Sequence, residues 1–548
     1  MQDQNTSWLP HLSSEIVTDA RGSELDAYVI ALEGWRRGLE LRWHVKDSEK
    51  FKDMKTWATE KPGKLFSLSL GDKTHYFFKS RGDKVSNDAV TIGADKEATK
   101  EHLVKNNIVT PLSKTFSKDS TIEEINEYVD SIGYPVVVKP VNGSFGNKVY
   151  TNIKDSMELQ NAVNNVKEDL EDDILVEQFI EGEDYRLYIV DNRVVGAIKR
   201  IPANVVGNGE DTIKQLIDQK NEMRKDNPRL ISCPIKINQE LIDYVLSQGY
   251  QFDEIPPKGE QVFLTNKSNI SLGGDPVDVL DELDEKVKQA AVNALKVVPE
   301  LPHGAVDIIV QIDGEKITPY VLEINPTAQI GSLLFPMRGQ ARDVPAAIMD
   351  YYFPETKGVE RQTSLYFDLG DMLEPLISKV ATVTKVSKPP KGIVYGRKFI
   401  VSGDVLSIDY HRGLRKQAFE RRISGFISKL HDGRIEIVVI SDSEEMLEEF
   451  KESIKEDPER STVEDIKEVI WDEPVKIGFE IKADYKTQLE HLKELNEEMN
   501  MMKKELKQLE QQYNSFQKSK SWIVTYPFRR VSDVVKGTYR LFNKDKES

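Results

Sequence analysis

The sequence has little cysteine and no long apolar run, and each absence excludes a class of protein. Its 548 residues include a single cysteine, Cys233, which excludes an internal disulfide and a cysteine-rich zinc site and favours a reducing compartment. No window approaches the roughly 18 apolar residues of a membrane-spanning helix, and the first residues, MQDQNTSWLP, lack the basic and apolar regions of a secretory signal. We therefore expect a cytoplasmic protein without transmembrane helices.

A net basic charge is also absent. The chain has 75 Lys+Arg against 92 Asp+Glu, a formal charge of −17, so we expect no nucleic acid among its partners. The charge is uneven, because residues 518–548 carry eight Lys/Arg and three Asp/Glu. This basic segment also contains Trp522, Tyr526 and Phe528, a composition typical of peripheral contact with an anionic membrane at its inner face. A solvated tail is the alternative.

Strand-like runs alternate with helical patterns over most of the chain, which predicts a mixed α/β (α+β) protein. The expected boundaries are an N-terminal α/β region at 1–92, a large domain at 93–355, a linker at 356–389, a smaller domain at 390–482, a coiled coil at 484–517 and the basic tail at 518–548. The smaller domain has the β-α-β-β-α-β order of a ferredoxin-like fold. Residues 485–516 contain nearly five apolar heptads, which indicate a homo-oligomeric coiled coil; a lone amphipathic helix packed on the body is the alternative.

Two apolar strand-like runs of the large domain are interrupted by acidic residues. Asp307 lies within GAVDIIV, and Glu323 and Asn325 lie two residues apart in VLEIN. Residues i and i+2 of a strand share a face, so a neighbouring strand can bring Asp307 beside the other two. Two carboxylates and an amide oxygen suit Mg²⁺, with Mn²⁺ as a second candidate. Solvated acidic residues on ordinary strands are the alternative.

A lysine and a glycine-rich loop indicate phosphate binding. Lys139 ends the run YPVVVKP and precedes a loop with Ser144, Phe145 and Gly146. Backbone N–H groups of such a loop can surround an anion, to which the lysine adds charge. A hairpin turn beside a snorkelling lysine is the alternative.

The stretch EQFIEGEDYR is a candidate for adenosine binding. It begins at Glu177, main-chain groups of Gln178 and Ile180 could contact an adenine edge, and Asp184 could hold a ribose hydroxyl.

Together these segments resemble the ATP-grasp ligases, in the branch that contains cyanophycin synthetase and the ligase half of bifunctional glutathione synthetases. The resemblance covers roughly residues 95–350. It depends on GADKEATKEHLVKNNIVTP, on NGSFG, on NISLGGDPVD and above all on RIPANVVGNGEDTIKQLI.

The resemblance implies roles for individual residues. Lys96 and Lys139 are the nucleotide lysines, and the segment Ser144 to Gly146 forms the loop over the phosphates. Arg186 and Arg200 contact phosphate groups or the transferring phosphoryl. Asp307, Glu323 and Asn325 fall on the family's magnesium ligands.

The implied activity is a two-step ligation in which ATP phosphorylates a carboxylate and an amine then displaces phosphate to form an amide or peptide bond. The expected substrates are amino acids or peptides. Two alternatives are an ATP-binding scaffold at a membrane surface and a carboxylate kinase that stops at the acyl-phosphate.

Residues 390–482 resemble the acylphosphatase fold, without its functional residues. His411 stands at the position of the family's phosphate-binding arginine, Ser407 and Asp409 replace loop glycines, and Lys429 stands at the catalytic asparagine. We therefore expect an inactive domain; hydrolysis of acyl-phosphate that escapes from the ligase site is the alternative.

Overall fold

The structure is a computed structural model that describes residues 6–141, 149–169, 173–456 and 461–482, together with 499, 501–503 and 506. Its contacts divide the chain into two compact units. The first contains the chain up to Gly396 with residues 440–445 and 471–478, and the second contains the remaining described residues. Over the described part of the chain, no helix is both long and apolar enough to cross a bilayer.

The N-terminal region is a small α/β layer in which one helix packs on an antiparallel sheet. Its elements are β1 (Thr6–Ser7), α1 (Ser23–Arg36), β2 (Glu40–His44), β3 (Leu65–Leu70), β4 (Lys73–Phe78) and β5 (Arg81–Gly82), with a 3₁₀ turn at Glu49–Phe51. Leu41 and Leu68 are paired across β2 and β3 on the face that meets α1. A Cβ on Gly34 of α1 would lie 2.4 Å from the Leu68 side chain, so glycine permits this close approach.

The next segment forms a sheet in the order β6–β9–β7–β8, covered on one face by two helices. Its elements are α2 (Asn87–Ala94), α3 (Lys96–Lys105), β6 (Ser113–Phe116), α4 (Ile122–Ile132), β7 (Val136–Pro140), β8 (Tyr150–Ile153), α5 (Ser156–Asp169) and β9 (Ile174–Gln178). A capping box between Thr121 and Glu124 begins α4. Because Val136 and Val138 pack under the helices, strand alternation leaves Lys139 on the opposite face.

A second antiparallel sheet has the order β14–β11–β10–β15–β16. The elements of this region are β10 (Glu183–Val190), β11 (Arg193–Ile201), β12 (Asn204–Val206), α6 (Ile213–Lys225), α7 (Gln239–Ser247), β13 (Gln261–Phe263), β14 (Asp275–Asp278), α8 (Glu285–Lys296), β15 (His303–Asp313) and β16 (Lys316–Asn325). Leu187, Val306 and Ile308 form one buried cluster with Ala291 and Leu295 of α8. The alternate residues of these strands therefore point away from the core.

The segment that follows returns to the N-terminal sheet. Its elements are α9 (Gly331–Leu334), β17 (Gly339–Gln340), α10 (Val344–Tyr352), β18 (Leu365–Tyr366), α11 (Leu369–Ile377) and β19 (Val383–Lys385). The range 356–389, predicted from sequence as a linker, thus contains secondary structure. Its strand β19 pairs with β2 and gives the order β19–β2–β3–β4–β5.

The C-terminal elements confirm the predicted β-α-β-β-α-β order. They are β20 (Tyr395–Asp404), α12 (Ile408–Glu420), β21 (Ser424–Lys429), β22 (Ile435–Ser441), α13 (Glu444–Lys455) and β23 (Thr462–Ile470), followed by β24 (Val475–Lys476) and β25 (Phe479–Ile481). The predicted coiled coil lies outside the described residues, except for a few exposed helical positions between 499 and 506. The basic tail at 518–548 lies outside them entirely.

The packing of α8 predicts the result of a substitution behind the second sheet. Leu295 is buried in the cluster with the strands, so Leu295→Ala removes apolar contacts and leaves a cavity. We expect the free energy of unfolding to fall by about 2–5 kcal/mol, measured by urea denaturation. Lys296→Ala is the matched control, because Lys296 is exposed and its loss should cost about 0.5 kcal/mol or less. Equal stabilities of the two variants would contradict the packing.

Candidate active site

Polar side chains occupy the face of the second sheet that is opposite to α8. They are Asp184, Arg186, Arg200, Asp307, Glu323 and Asn325, on the strands β10, β11, β15 and β16. Arg186 is paired with Asp307 across β10 and β15, and Asp307 is paired with Glu323 across β15 and β16. The strand registers therefore bring residues from distant parts of the sequence into one row.

Asp307 is the centre of this group. Arg186 donates to both carboxylate oxygens of Asp307, from Nε at 2.7 Å and from Nη2 at 2.8 Å, and Arg200 Nη1 donates at 2.9 Å. The Asp307 side chain is only 3% exposed. Burial alone would raise the pKa of Asp307, but the two guanidinium groups outweigh it and hold that pKa well below its usual range. Asp307 is consequently an anion at neutral pH.

Arg200 also contacts a second carboxylate. Its Nε donates to Asp184 Oδ1 at 2.8 Å, and its Nη2 lies 2.6 Å from the same oxygen. Burial raises the pKa of Asp184 to about 6. The negative charge of Asp307 acts in the same sense, whereas the positive charge of Arg200 acts to lower this pKa. Asp184, a candidate for the ribose hydroxyl, is therefore engaged with an arginine in this structure.

The three proposed metal ligands fit a hard cation by the chemistry of their donors. Glu323 and Asn325 project from the same face of β16, and Asn325 Nδ2 donates to Glu323 Oε1 at 3.1 Å. Glu323 is 41% exposed, whereas Asp307 is buried, so the set has one fixed and one accessible carboxylate. Mg²⁺ is commonly bound by one or two protein carboxylates, and the described residues contain no group of three or more His, Cys, Asp or Glu suited to a metal ion.

A second charged group lies on the first sheet, on the face opposite to α4 and α5. Glu177 of β9 lies between two lysines, with Lys139 Nζ 3.0 Å from Oε1 and Lys100 Nζ 2.7 Å from Oε2. Burial alone would raise the pKa of Glu177, but Lys139 and Lys100 reverse the effect and lower that pKa to about 2. The anion holds both ammonium groups in place.

Lys100 is a functional candidate that the sequence reasoning missed. It lies four residues after Lys96 on α3 and therefore on the same face of the helix. That spacing is the signal that could have identified it. Lys96 Nζ donates to the carbonyl of Val141 at 2.7 Å.

The predicted adenosine segment is only partly available to a ligand. The Gln178 N–H donates to Leu112 O at 2.8 Å, so this amide is already engaged. The Ile180 N–H has no hydrogen-bond partner among the residues that the structure describes and is the better candidate for an adenine contact. The segment predicted to bind phosphate, with Ser144, Phe145 and Gly146, lies outside the described residues.

A short connection joins the two charged groups. Residues 179–182 link β9 to β10, and a Cβ on Gly182 would lie 2.4 Å from the carbonyl oxygen of Val310 on β15. Glycine is required at this close approach. Glu177 and Asp184 are therefore positioned by a connection that lies tightly against the second sheet.

In the C-terminal unit, the position equivalent to a phosphate-binding arginine is turned into the fold. His411 is buried, and its Nε2 donates to the Val405 carbonyl at 2.8 Å. Arg412 is 63% exposed and lies 3.8 Å from Asp409. Because its Nε2 is bound to this carbonyl, the residue at the arginine position does not present a cation to an anion at the start of α12.

Comparisons with known proteins identify the class to which these features belong. Residues 93–222 match the family model of the RimK-like ATP-grasp domain, and residues 397–481 match that of the acylphosphatases. Both resemblances expected from the sequence are thereby confirmed. The chain contains an ATP-grasp domain followed by an acylphosphatase-like domain.

Two relatives found by sequence agree with this class. A cyanophycin synthetase of Trichormus variabilis is 30% identical over 300 residues, which are 53% of this chain and 32% of the relative. The bifunctional glutathione biosynthesis protein GshAB of Clostridium perfringens is 29% identical over 341 residues, 60% of this chain and 41% of the relative. The crystal structure of a bifunctional glutathione synthetase from Pasteurella multocida is 26% identical, covers 53% of this chain and 41% of its own, and has a TM-score of 0.42. The chain thus spans about a third to two fifths of the length of these relatives.

The Glu177 cluster predicts a large effect of a nearly isosteric change. Glu177→Gln removes the anion and leaves Lys100 and Lys139 close together without compensation. We expect a loss of about 3–5 kcal/mol in the free energy of unfolding at neutral pH, measured by urea denaturation. Glu181→Gln, at an exposed position of the adjoining connection, is the control and should behave as the wild type. A stable Glu177→Gln protein would show that the lysines do not depend on this carboxylate.

The same carboxylate predicts a dependence on pH. The folded protein holds the pKa of Glu177 at about 2, below its ordinary value of 4.5, so the ionised form stabilises the fold. This contribution is complete above pH 4.5 and is lost as the pH falls from 4.5 towards 2. Over this window the free energy of unfolding should decline less steeply in Glu177→Gln than in the wild type. Identical slopes would refute the assignment.

Proposed function

We propose that this protein is an ATP- and Mg²⁺-dependent carboxylate–amine ligase that joins amino acids or extends a peptide through an acyl-phosphate. The observation that carries the proposal is the ionised, buried Asp307 between Arg186 and Arg200, beside Glu323 and Asn325. The homologous cyanophycin synthetase and GshAB support the same class of reaction.

Nucleotide binding is assigned to the first sheet and its surroundings. Lys96 and Lys139 contribute positive charge to the phosphates, Lys100 adds a third cation, and the loop with Ser144, Phe145 and Gly146 covers them. The amide of Ile180 contacts the adenine. Since Lys100 and Lys139 are already held by Glu177, they are placed for phosphate before it arrives.

The second sheet supplies the groups for phosphoryl transfer. Asp307, Glu323 and Asn325 would hold Mg²⁺, which neutralises charge on the transferring phosphate. Arg200, with Arg186 beside it, stabilises the phosphoryl group as it moves. The contacts of both arginines with Asp307 fix their orientation, so little reorganisation is needed during the reaction.

The reaction consists of two displacements. A carboxylate oxygen of the first substrate attacks the γ-phosphorus, the bond from that phosphorus to the β–γ bridging oxygen breaks, and ADP leaves. The amine of the second substrate then attacks the acyl carbon, the bond from carbon to the phosphate oxygen breaks, and phosphate leaves as the amine loses a proton. No thiol is required, which agrees with the burial of Cys233.

The remaining parts of the chain have proposed roles of their own. We assign homo-oligomer formation to the coiled coil at 485–516 and contact with the anionic inner face of a membrane to residues 518–548. Residues 390–482 form a non-catalytic domain.

Phosphate and ADP release tests the ligase assignment. The wild type is incubated with ATP and Mg²⁺ across a panel of amino acids and dipeptides, and Glu323→Ala should lower the rate by about 100-fold or more, because a ligand to the metal is removed. Glu315→Ala is the matched control, since Glu315 is exposed in the turn of the same hairpin. If ATP binds and no mixture releases ADP above the Glu323→Ala background, the ligase assignment fails. Mass spectrometry then separates the outcomes, because an amide identifies a ligase and an acyl-phosphate alone identifies a kinase.

Hydrolysis of benzoyl phosphate tests the assignment of the acylphosphatase-like domain. We expect no activity above the spontaneous rate, because His411 is committed to Val405. Arg412→Ala should leave this baseline unchanged, and as Arg412 is exposed the variant should fold normally. A hydrolytic rate that falls in Arg412→Ala would assign activity to this domain.

A further inference from the structure

The N-terminal sheet carries a polar cleft on the face opposite to α1. The cleft has a volume of about 450 Å³. It is lined by Glu40, Arg42, His44, Lys50, Ser67, Ser69, Gly71, Thr74, Tyr76 and Lys388. None of these residues belongs to the proposed ATP or metal site.

The register of the strands explains the polar floor of this cleft. Arg42 is paired with Ser67 and Ser67 with Tyr76, and in the next row Ser69 is paired with Thr74. Short hydroxyl side chains in the middle of this face leave a recess between longer neighbours. Ser69 Oγ and Thr74 Oγ1 lie 2.8 Å apart, so one hydroxyl donates to the other and the second hydroxyl hydrogen is available to an acceptor in the recess.

His44 has a buried ring nitrogen without a partner. The residue is 5% exposed, and its Nε2 lies 2.9 Å from Ser67 Oγ. Its Nδ1 has no hydrogen-bond partner among the residues that the structure describes. Burial lowers the pKa of His44 to about 4, and the positive charges of Arg42 and Lys50 also act to lower it. A buried polar atom without a partner is costly and uncommon in a folded protein.

The charges around the recess are not balanced. Glu40 is engaged by Arg42 Nε at 2.9 Å and by Lys385 Nζ at 2.6 Å. Lys50 and Lys388 form no ion pair with any described residue. Two lysines without an ion pair, and Arg42 paired with the single carboxylate of Glu40, thus surround the hydroxyl groups, so the recess has an excess of positive charge. This arrangement favours an anion.

We propose that this cleft binds a small anionic ligand through a carboxylate or phosphate group. Arg42 and Lys50 supply the charge, and the hydroxyl pair of Ser69 and Thr74 supplies a neutral donor. The ring of His44, with its proton on Nδ1 and with Nε2 accepting from the Ser67 hydroxyl, contacts the bound anion. The site is additional to the proposed ligase function and does not depend on it.

Histidine-selective NMR and calorimetry on the full chain test this site. Inorganic phosphate and succinate are titrated separately, without ATP, and His44→Gln assigns the His44 resonance among the eight histidines of the chain. We expect a saturable shift of that resonance with at least one probe. A shift with phosphate alone identifies a phosphate site, a shift with succinate alone identifies a carboxylate site, and shifts with both support the shared anion chemistry. If neither probe moves the His44 resonance, the proposal is refuted.

A matched pair of lysine substitutions separates the cleft from general surface charge. Lys50→Ser removes a cleft residue, whereas Lys52→Ser removes an equal charge two positions away, where Lys52 is 65% exposed and lies 3.5 Å from Glu49. We expect Lys50→Ser to weaken binding about tenfold, the loss of one charge-assisted contact, and Lys52→Ser to leave it within about twofold. Both lysines are exposed, so both variants should fold. Equal affinities of the two variants would attribute the binding to unspecific attraction and overturn the proposal.

Discussion

The buried carboxylate of Asp307 is the constraint on which the proposed active site depends. An isolated buried anion costs several kcal/mol, and its ion pairs offset that cost only when their geometry is good. Arg186 and Arg200 supply this geometry from two different strands, so the registers of β10, β11 and β15 must all be kept. A slip by one residue would exchange the charged face with the apolar face against α8. The charge cluster and the hydrophobic core therefore require the same strand registers in this sheet.

The first sheet uses the same principle. There the buried anion Glu177 pairs with Lys100 and Lys139, as Asp307 pairs with Arg186 and Arg200 from neighbouring strands of its own sheet. In both places the protein positions its charges in the absence of substrate, which would reduce the reorganisation that the proposed phosphoryl transfer requires. A ligand at either place must exchange contacts with groups that are already paired, so these pairs would also limit the affinity of the proposed ATP and metal sites.

The sequence predicted much of this architecture and missed what depends on distant partners. The two-residue period placed Glu323 and Asn325 on one face, and the alternation of apolar runs indicated the strands on which Asp307 and Lys139 lie. For Lys100 the signal was weaker, only its spacing of four residues from Lys96, because α3 is a polar helix and the partner Glu177 lies on a later strand. The strand β19 has only three residues and forms by pairing with the edge of β2. No local pattern in 356–389 predicts this pairing.

The contrast between the two kinds of charged site explains why the N-terminal cleft points to a ligand. At Asp307 and Glu177, each buried charge has partners of opposite sign within the chain, so these clusters stabilise the protein whether or not substrate is bound. In the cleft, Lys50 and Lys388 have no ion-pair partner, and Nδ1 of His44 has no hydrogen-bond partner, among the described residues. An anion that contacts these two lysines displaces no ion pair of theirs, whereas its contact with Arg42 competes with Glu40, so the gain in charge pairing comes from the lysines.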